Sequence, residues 1–171
     1  SVFNDTYHYE EKVSFKKPLT VQERKSTVQS LSTDYQWLEK QSVKLLNDSK
    51  EQTVQATIVS NGNQLNLPEV DLKDLTGNQV FLSEALAKRL NIQAKATIYI
   101  KLQQQIIPVF IKRLIPISSP QGLFFSQKTW ENLQQPFEPQ SLLLPKNKTV
   151  IESPLITSRN EKLQQFKDSQ K

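Results

Sequence analysis

The sequence predicts an α+β fold: a mixed, mostly antiparallel sheet with short helices, arranged as one core or as two small lobes. Three observations predict it. Apolar residues recur with period two in several short runs, as in half-buried strands. Short stretches with helix-start signals stand between those runs. The two kinds of segment interleave without a regular strand-helix-strand period, which argues against a doubly wound parallel sheet. A chain of 171 residues has the size of one ordinary domain and needs no disulfide scaffold.

Tyr7 to Phe15 places Tyr7, Tyr9, Val13 and Phe15 at nearly every second position, a strand that Pro18 ends. Thr20 stands three residues before Glu23, the reciprocal capping arrangement of a helix start. Val21, Val28 and Leu31 then share a face, so a short helix is expected over Val21 to Leu31. Tyr35 to Leu46 and Gln52 to Ser60 read as two strands joined near Asn47 to Lys50, the second with Val54, Ala56 and Ile58 on one face. Asn61-Gly62 signals a tight turn. Leu65 to Leu75 is short, acidic and irregular, and contains Pro68.

Val80 and Leu82 mark a brief strand and Ser83 a capping position. Glu84 to Leu90 follows as a helix, with Leu86 and Leu90 four apart and Glu84 at the positive end of the dipole. Ile98, Ile100 and Leu102 alternate again, and past Gln103 to Gln105 a return strand from Ile106 to Ile117 completes a hairpin. Pro108 and Pro116 remove backbone donors, which puts that strand at an edge or requires a bulge. Ser119 to Gly122 is a turn, Leu123 to Phe125 a strand, Gln127 to Leu133 a helical turn or two around Trp130, and Ser141 to Leu144 a last apolar strand. From Pro145 onward the chain is polar, and Glu161 to Lys171 is either helical or a frayed tail. A composition shift near Leu65 to Leu75 divides the chain into an N-terminal lobe over 1–75, a second lobe over 76–144 and a polar tail over 145–171.

Composition narrows the chemistry. Cysteine is absent, which removes disulfides, thiolate metal sites and thiol nucleophiles. His8 is the sole histidine, so no metal site built on several histidines or cysteines exists, and no nucleophile motif stands beside it. The three glycines, Gly62, Gly77 and Gly122, lie far apart and form no phosphate-cradling loop. Glu10 and Glu11 are adjacent and point to opposite faces of a strand, which is wrong for a paired-carboxylate mechanism. No enzymatic activity and no cofactor are expected. The net charge of +5 resides in residues 101–171, and eighteen of the 22 basic side chains are lysine. Nucleic-acid readers lean on arginine instead, so no nucleic-acid partner is expected. The longest apolar run, Ile106 to Ile111, is broken by Pro108 and falls far short of the roughly 20 residues a membrane span needs. With no methionine and no signal-peptide pattern, the sequence is expected to be a piece of a longer or processed product.

Trp37, Trp130, Phe124 and Phe125 sit in patterned elements and are expected to fill apolar faces. Phe137 differs, because Pro136 and Pro139 hold its segment extended and offer the ring on a loop as a candidate interaction residue. Glu69, Asp71 and Asp74 make the loop before residue 75 a second candidate. Asp71 and Asp74, three apart, either ligate a hard cation or stand on a wet loop, and no calcium-loop spacing surrounds them.

One stretch has a family look. Val80-Phe81-Leu82-Ser83-Glu84-Ala85-Leu86-Ala87-Lys88-Arg89-Leu90-Asn91-Ile92 precedes the strand Thr97 to Leu102 and the return strand to Ile117. Gly122 to Ser126, Trp130 to Leu133 and Ser141 to Leu144 follow. This order, over Gly77 to Leu144, resembles the extracytoplasmic domain of ABC permeases of the FtsX/MacB type, with Lys95-Ala96 where that family usually places Gly-Asp. The resemblance implies a MacB-like α+β fold and a non-enzymatic role at the extracellular face of the cell membrane. Its implied partners are membrane helices of the same permease, a cytoplasmic ATPase subunit acting indirectly, and a transported peptide, lipid or antimicrobial, or an extracellular partner protein. It also implies both ends of the domain on the same side. Enrichment in lysine, asparagine, glutamine and isoleucine suits a Gram-positive source. The competing class is a free-standing secreted or surface binding module for a cell-wall polymer or a protein.

Overall fold

The structure, a computed structural model, describes residues 11–145 and 156–161. Its elements are β1 (Glu11–Phe15), α1 (Val21–Val28), β2 (Gln36–Asn47), β3 (Lys50–Val59), a 3-10 turn (Leu72–Asp74), β4 (Gln79–Ser83), α2 (Glu84–Leu90), β5 (Thr97–Leu102), β6 (Gln105–Ile115), β7 (Leu123–Ser126), α3 (Gln127–Asn132), β8 (Ser141–Leu144) and β9 (Ile156–Glu161). Tyr7, His8 and Tyr9 lie outside the described residues, as does the stretch after Glu161. β9 is an element that periodicity did not mark.

Local chemistry explains the helices. At the start of α1 the Glu23 amide donates to the Thr20 hydroxyl (3.1 Å) while the Thr20 amide donates to the Glu23 carboxylate (2.9 Å), the capping box read from the spacing. No α1 side chain is buried, and the helix stops at Val28 rather than Leu31; Val28 and Leu31 lean against the core. α2 spans the expected residues and ends on Asn91 in the left-handed conformation (φ 58°), satisfying the last carbonyls. Ser83 holds the capping position without capping: its hydroxyl accepts from the Gly122 amide (2.9 Å), and its own amide donates to the Gly122 carbonyl (3.0 Å).

The strands form one nine-stranded mixed sheet, antiparallel except for β3 with β7 and β4 with β6. Six of the strands close on themselves: β3 pairs with β7, then β4, β6, β5 and β2 follow, and β2 pairs back with β3. Strands from both sides of residue 75 share this barrel: β2 and β3 stand side by side, and β7, β4, β6 and β5 complete the ring. Its interior is filled by inward-facing residues including Val43, Leu45, Ala56, Ile58, Val80, Leu82, Ile98, Ile100, Val109, Ile111, Leu123 and Phe125. From β2 the sheet continues outward through β8 and β1 to β9.

The proline expectation is met by a bulge. Register shifts between Val80 and Phe81 of β4, which face Ile111 and Arg113, so Lys112 of β6 is left unopposed. The shift changes which residues face inward: Val109 and Ile111 join the barrel core, whereas Ile115 joins the outer cluster. Pro108 pairs with Tyr99 of β5 but lies before β4 begins, and its carbonyl accepts from the Asn78 side chain (3.1 Å), so no ladder bond is lost. On the barrel exterior, Phe81, Ile115 and Phe124 are covered by Leu65, Leu67, Leu72 and Leu75 of the segment 60–78. Asn61-Gly62 opens that segment instead of closing a hairpin; a Cβ at Gly62 would meet the Tyr35 carbonyl oxygen at 2.4 Å. The hairpin β5–β6 turns on Gln103 and Gln104, both at positive φ.

Candidate functional site

β2 is twelve residues long and changes partners along its length. Gln36 to Leu38 pair with β8 and Lys44 to Leu46 with β5. Between them β2 keeps β3 on one side, while on the other the sheet forks. The segment 134–140 crosses this fork. The Glu138 amide donates to the Glu39 carboxylate (2.8 Å) and the Gln140 amide to the Leu38 carbonyl (3.2 Å), and the Gln41 side-chain amide also donates to Glu39. Glu39 is 4% exposed, and burial pushes its carboxyl above the usual carboxylate range against the lowering effect of those bonds.

Periodicity carried a sign of this group that was not read. Glu39 occupies the same alternation as Trp37, Val43 and Leu45, so an acid stands at an inward position. The fork itself has no local signal, because it arises where one strand exchanges partners distant in sequence.

Phe137 is placed differently from its sequence expectation. It is 5% exposed, with Arg24 of α1 lying over its ring. The flanking prolines extend the backbone, yet the ring turns inward to join the barrel core beside Trp130 and Leu133. Its ring is therefore not on display. Trp37, Phe124, Phe125 and Trp130 are buried as expected; Trp130 meets Phe125 edge-on (5.0 Å) and donates its indole N–H to the Pro136 carbonyl (3.1 Å).

Two recesses flank Glu138 along β2 and share Gln41. One of about 300 Å³ includes Ser14, Lys40 and Gln140; the other, of about 210 Å³, includes Ser42, Lys101, Gln103 and Gln135. Lys40 reaches solvent, yet close protein crowding and then the nearby charge of Lys12 bring its pKa down to about 8. Burial also lowers Lys12. The site thus offers amide hydrogen bonding around the Glu138 side chain, which lines both recesses, with the ammonium groups of Lys40 and Lys101 at its flanks.

The acidic loop lies elsewhere, on the barrel exterior. Glu69, Asp71 and Asp74 are all exposed. Arg113 donates to the Glu69 carbonyl (2.9 Å) and pairs with its carboxylate (3.5 Å), and Lys112 donates to the Asp74 carbonyl (2.7 Å). Asp71 accepts from the Lys73 amide (2.9 Å) and so caps the 3-10 turn. The structure does not bring Phe137 and these three acids into one surface: the ring belongs to the core cluster and the loop leucines to the outer one.

No family model and no curated protein matches the sequence. Among solved structures, a domain assigned to a permease protein from Porphyromonas gingivalis aligns at a TM-score of 0.46 with 10% identity, covering 86% of this chain and 76% of that one. The periplasmic region of MacB from Actinobacillus actinomycetemcomitans aligns at a TM-score of 0.52 with 13% identity, covering 84% of this chain and 78% of that one. The nine-stranded α+β arrangement described above is therefore the fold of a MacB periplasmic region.

Proposed function

We infer that this chain is the extracytoplasmic domain of an FtsX/MacB-type ABC permease. A cytoplasmic subunit hydrolyses ATP, membrane helices of the permease pass the motion outward, and this domain engages a peptide, lipid or antimicrobial cargo or an extracellular partner. The domain's role is mechanical, since coupling between distant sites needs a connected element with two states.

One observation carries the reading. Glu11, where β1 begins, and Glu161, where β9 ends, are Cα partners in the antiparallel β1–β9 ladder. The described chain enters and leaves side by side, as a domain inserted between two membrane helices requires. No helix among the described residues is long and apolar enough to cross a membrane, so the spans of this reading lie outside them. Within it the exposed acids Glu69, Asp71 and Asp74, held on a segment anchored by buried leucines, form the first contact surface to test.

These 171 residues hold no cysteine, so a label mapped by peptide mass spectrometry to an introduced cysteine reports on this domain. Ile106→Cys, at a side chain that is 61% exposed, is introduced into the full-length gene product. The expected result is a membrane-bound protein labelled in intact cells by a membrane-impermeant maleimide. Labelling only after permeabilisation, or recovery of the protein in the medium, overturns the reading.

A further inference from the structure

The fork leaves a length of β2 with an open backbone edge. The Trp37 carbonyl accepts from Ser60 on the β3 side, whereas the Leu38 carbonyl accepts from Gln140 on the fork side. Residues along an antiparallel strand bond alternately to its two edges. Lys40 and Ser42 therefore turn their N–H and C=O groups into the fork, and no hydrogen bond from the described residues reaches these four groups. The crossing segment does not fill the gap at backbone level: Glu138 bonds to the Glu39 side chain and so stands a side-chain length away.

We propose that this fork binds an extended, acidic polypeptide segment, which adds as a short antiparallel strand to Lys40–Ser42 of β2. Three residues of such a strand satisfy all four open groups. The space is of the right order: an extended residue occupies roughly 3.3 by 4.8 by 10 Å, and the recesses of about 300 and 210 Å³ on either side of Glu138 have room for about two residues and one. Charge selects the sequence. Lys40, Ser42 and Lys44 share the outward face of β2, and Lys101 faces Lys44 across the ladder. Lys44 is neutralised by Glu51 (2.9 Å), whereas Lys12 and Lys40 press on each other. Outward side chains of the added strand lie among these ammonium groups and are favoured when acidic. The amides of Gln41, Gln103 and Gln135 line the recesses and suit a polar chain. The site stands whether or not the permease reading holds.

The test begins with hydrogen exchange of the 171-residue chain alone. The amides of Lys40 and Ser42 are expected to exchange at least tenfold faster than those of Glu39, Gln41 and Val43, which face β3; equal protection overturns the proposal. The second probe is a capped heptapeptide alternating threonine and glutamate, with a threonine–lysine heptapeptide as comparator. The glutamate peptide is expected to bind at least tenfold tighter and to slow exchange at Lys40 and Ser42. Equal affinity for the two peptides, no binding, or binding that leaves those two amides unprotected overturns it. Ser42→Pro, which removes one open donor, abolishes the slowing. Should that variant fail to fold, Ser42→Trp fills the recess from the outward face and is expected to weaken the glutamate peptide at least tenfold; undiminished binding counts against the site.

Discussion

Arg24 lies over the ring of Phe137, its guanidinium carbon 5.3 Å from the centroid, and donates to the Leu19 carbonyl at 2.7 Å. A second, longer bond reaches the Phe137 carbonyl at 3.4 Å. Since α1 buries no side chain fully, this arginine, together with Val28 leaning against the core, fastens the helix to the rest of the molecule. Arg24→Ala is expected to lower unfolding stability by about 2 kcal/mol, from a charged hydrogen bond and a partly desolvated cation–π contact. Arg24→Lys retains the charge, loses the planar fork and costs about half as much. Urea titration measures both, and a loss under about 0.5 kcal/mol for the alanine variant refutes the fastening role.

Gly122 and Gly77 make a matched pair. A Cβ at Gly122 would meet the Gln55 carbonyl oxygen at 2.1 Å with φ at +127°, whereas at Gly77, φ +58°, it meets nothing within 4 Å. Gly122→Ala forces β3 and β7 apart and is expected to cost more than ~3 kcal/mol, against about 1 kcal/mol for Gly77→Ala. Thermal or urea denaturation of the two variants ranks them, and equal losses contradict the close approach.

Glu39 gives stability a pH dependence of definite sign. Its folded pKa lies above its unfolded value, so between the ordinary carboxylate value and the raised one the folded state holds a proton the unfolded chain has released. Its contribution is therefore unfavourable to folding as pH rises through that window. Glu39→Gln keeps the acceptor for the Glu138 amide and removes the ionisation, with the Gln41 amide turning to accept. The difference between variant and parent, followed by urea titration from pH 4 to 7, is expected to grow with pH in favour of the variant. A pH-independent difference counts against a raised carboxyl.

Lys40 should be the reactive amine of the fork. At a pKa of about 8 it is about half deprotonated at pH 8, where an ordinary lysine is under ~1% so. Acylation at pH 8 read by peptide mass spectrometry is expected to modify Lys40 more than ~tenfold faster than an unperturbed lysine. Lys12→Gln removes a like charge and slows that reaction; an unchanged rate contradicts the coupling.

How much was legible follows from where each feature is encoded. Val54, Ala56 and Ile58 announce β3 by alternation, and Thr20 with Glu23 announces α1, because both signals lie within a few neighbouring residues. The β5–β6 hairpin was also local, written in Ile98 to Leu102, whereas the bulge of β6 falls at Lys112 and not at Pro108. Phe137 was misread because its prolines set only the backbone direction, while the cover over its ring comes from Arg24, far away in sequence. β9 went unseen because Ile156–Glu161 has almost no apolar pattern and takes its shape from β1. The fork is encoded in no segment, since it is the space left when β8 and β5 claim different ends of β2.

The barrel strands form a loop without a seam, so a load spreads around them instead of prising one edge open. β1 and β9 make a paired handle, and the ladder joining that handle to the barrel is the three residue pairs between β8 and Gln36, Trp37 and Leu38 of β2. Torque applied at the handle would concentrate there, beside the tilted ring pair of Phe15 and Trp37, and in the permease reading that short junction would be the pivot between handle and barrel.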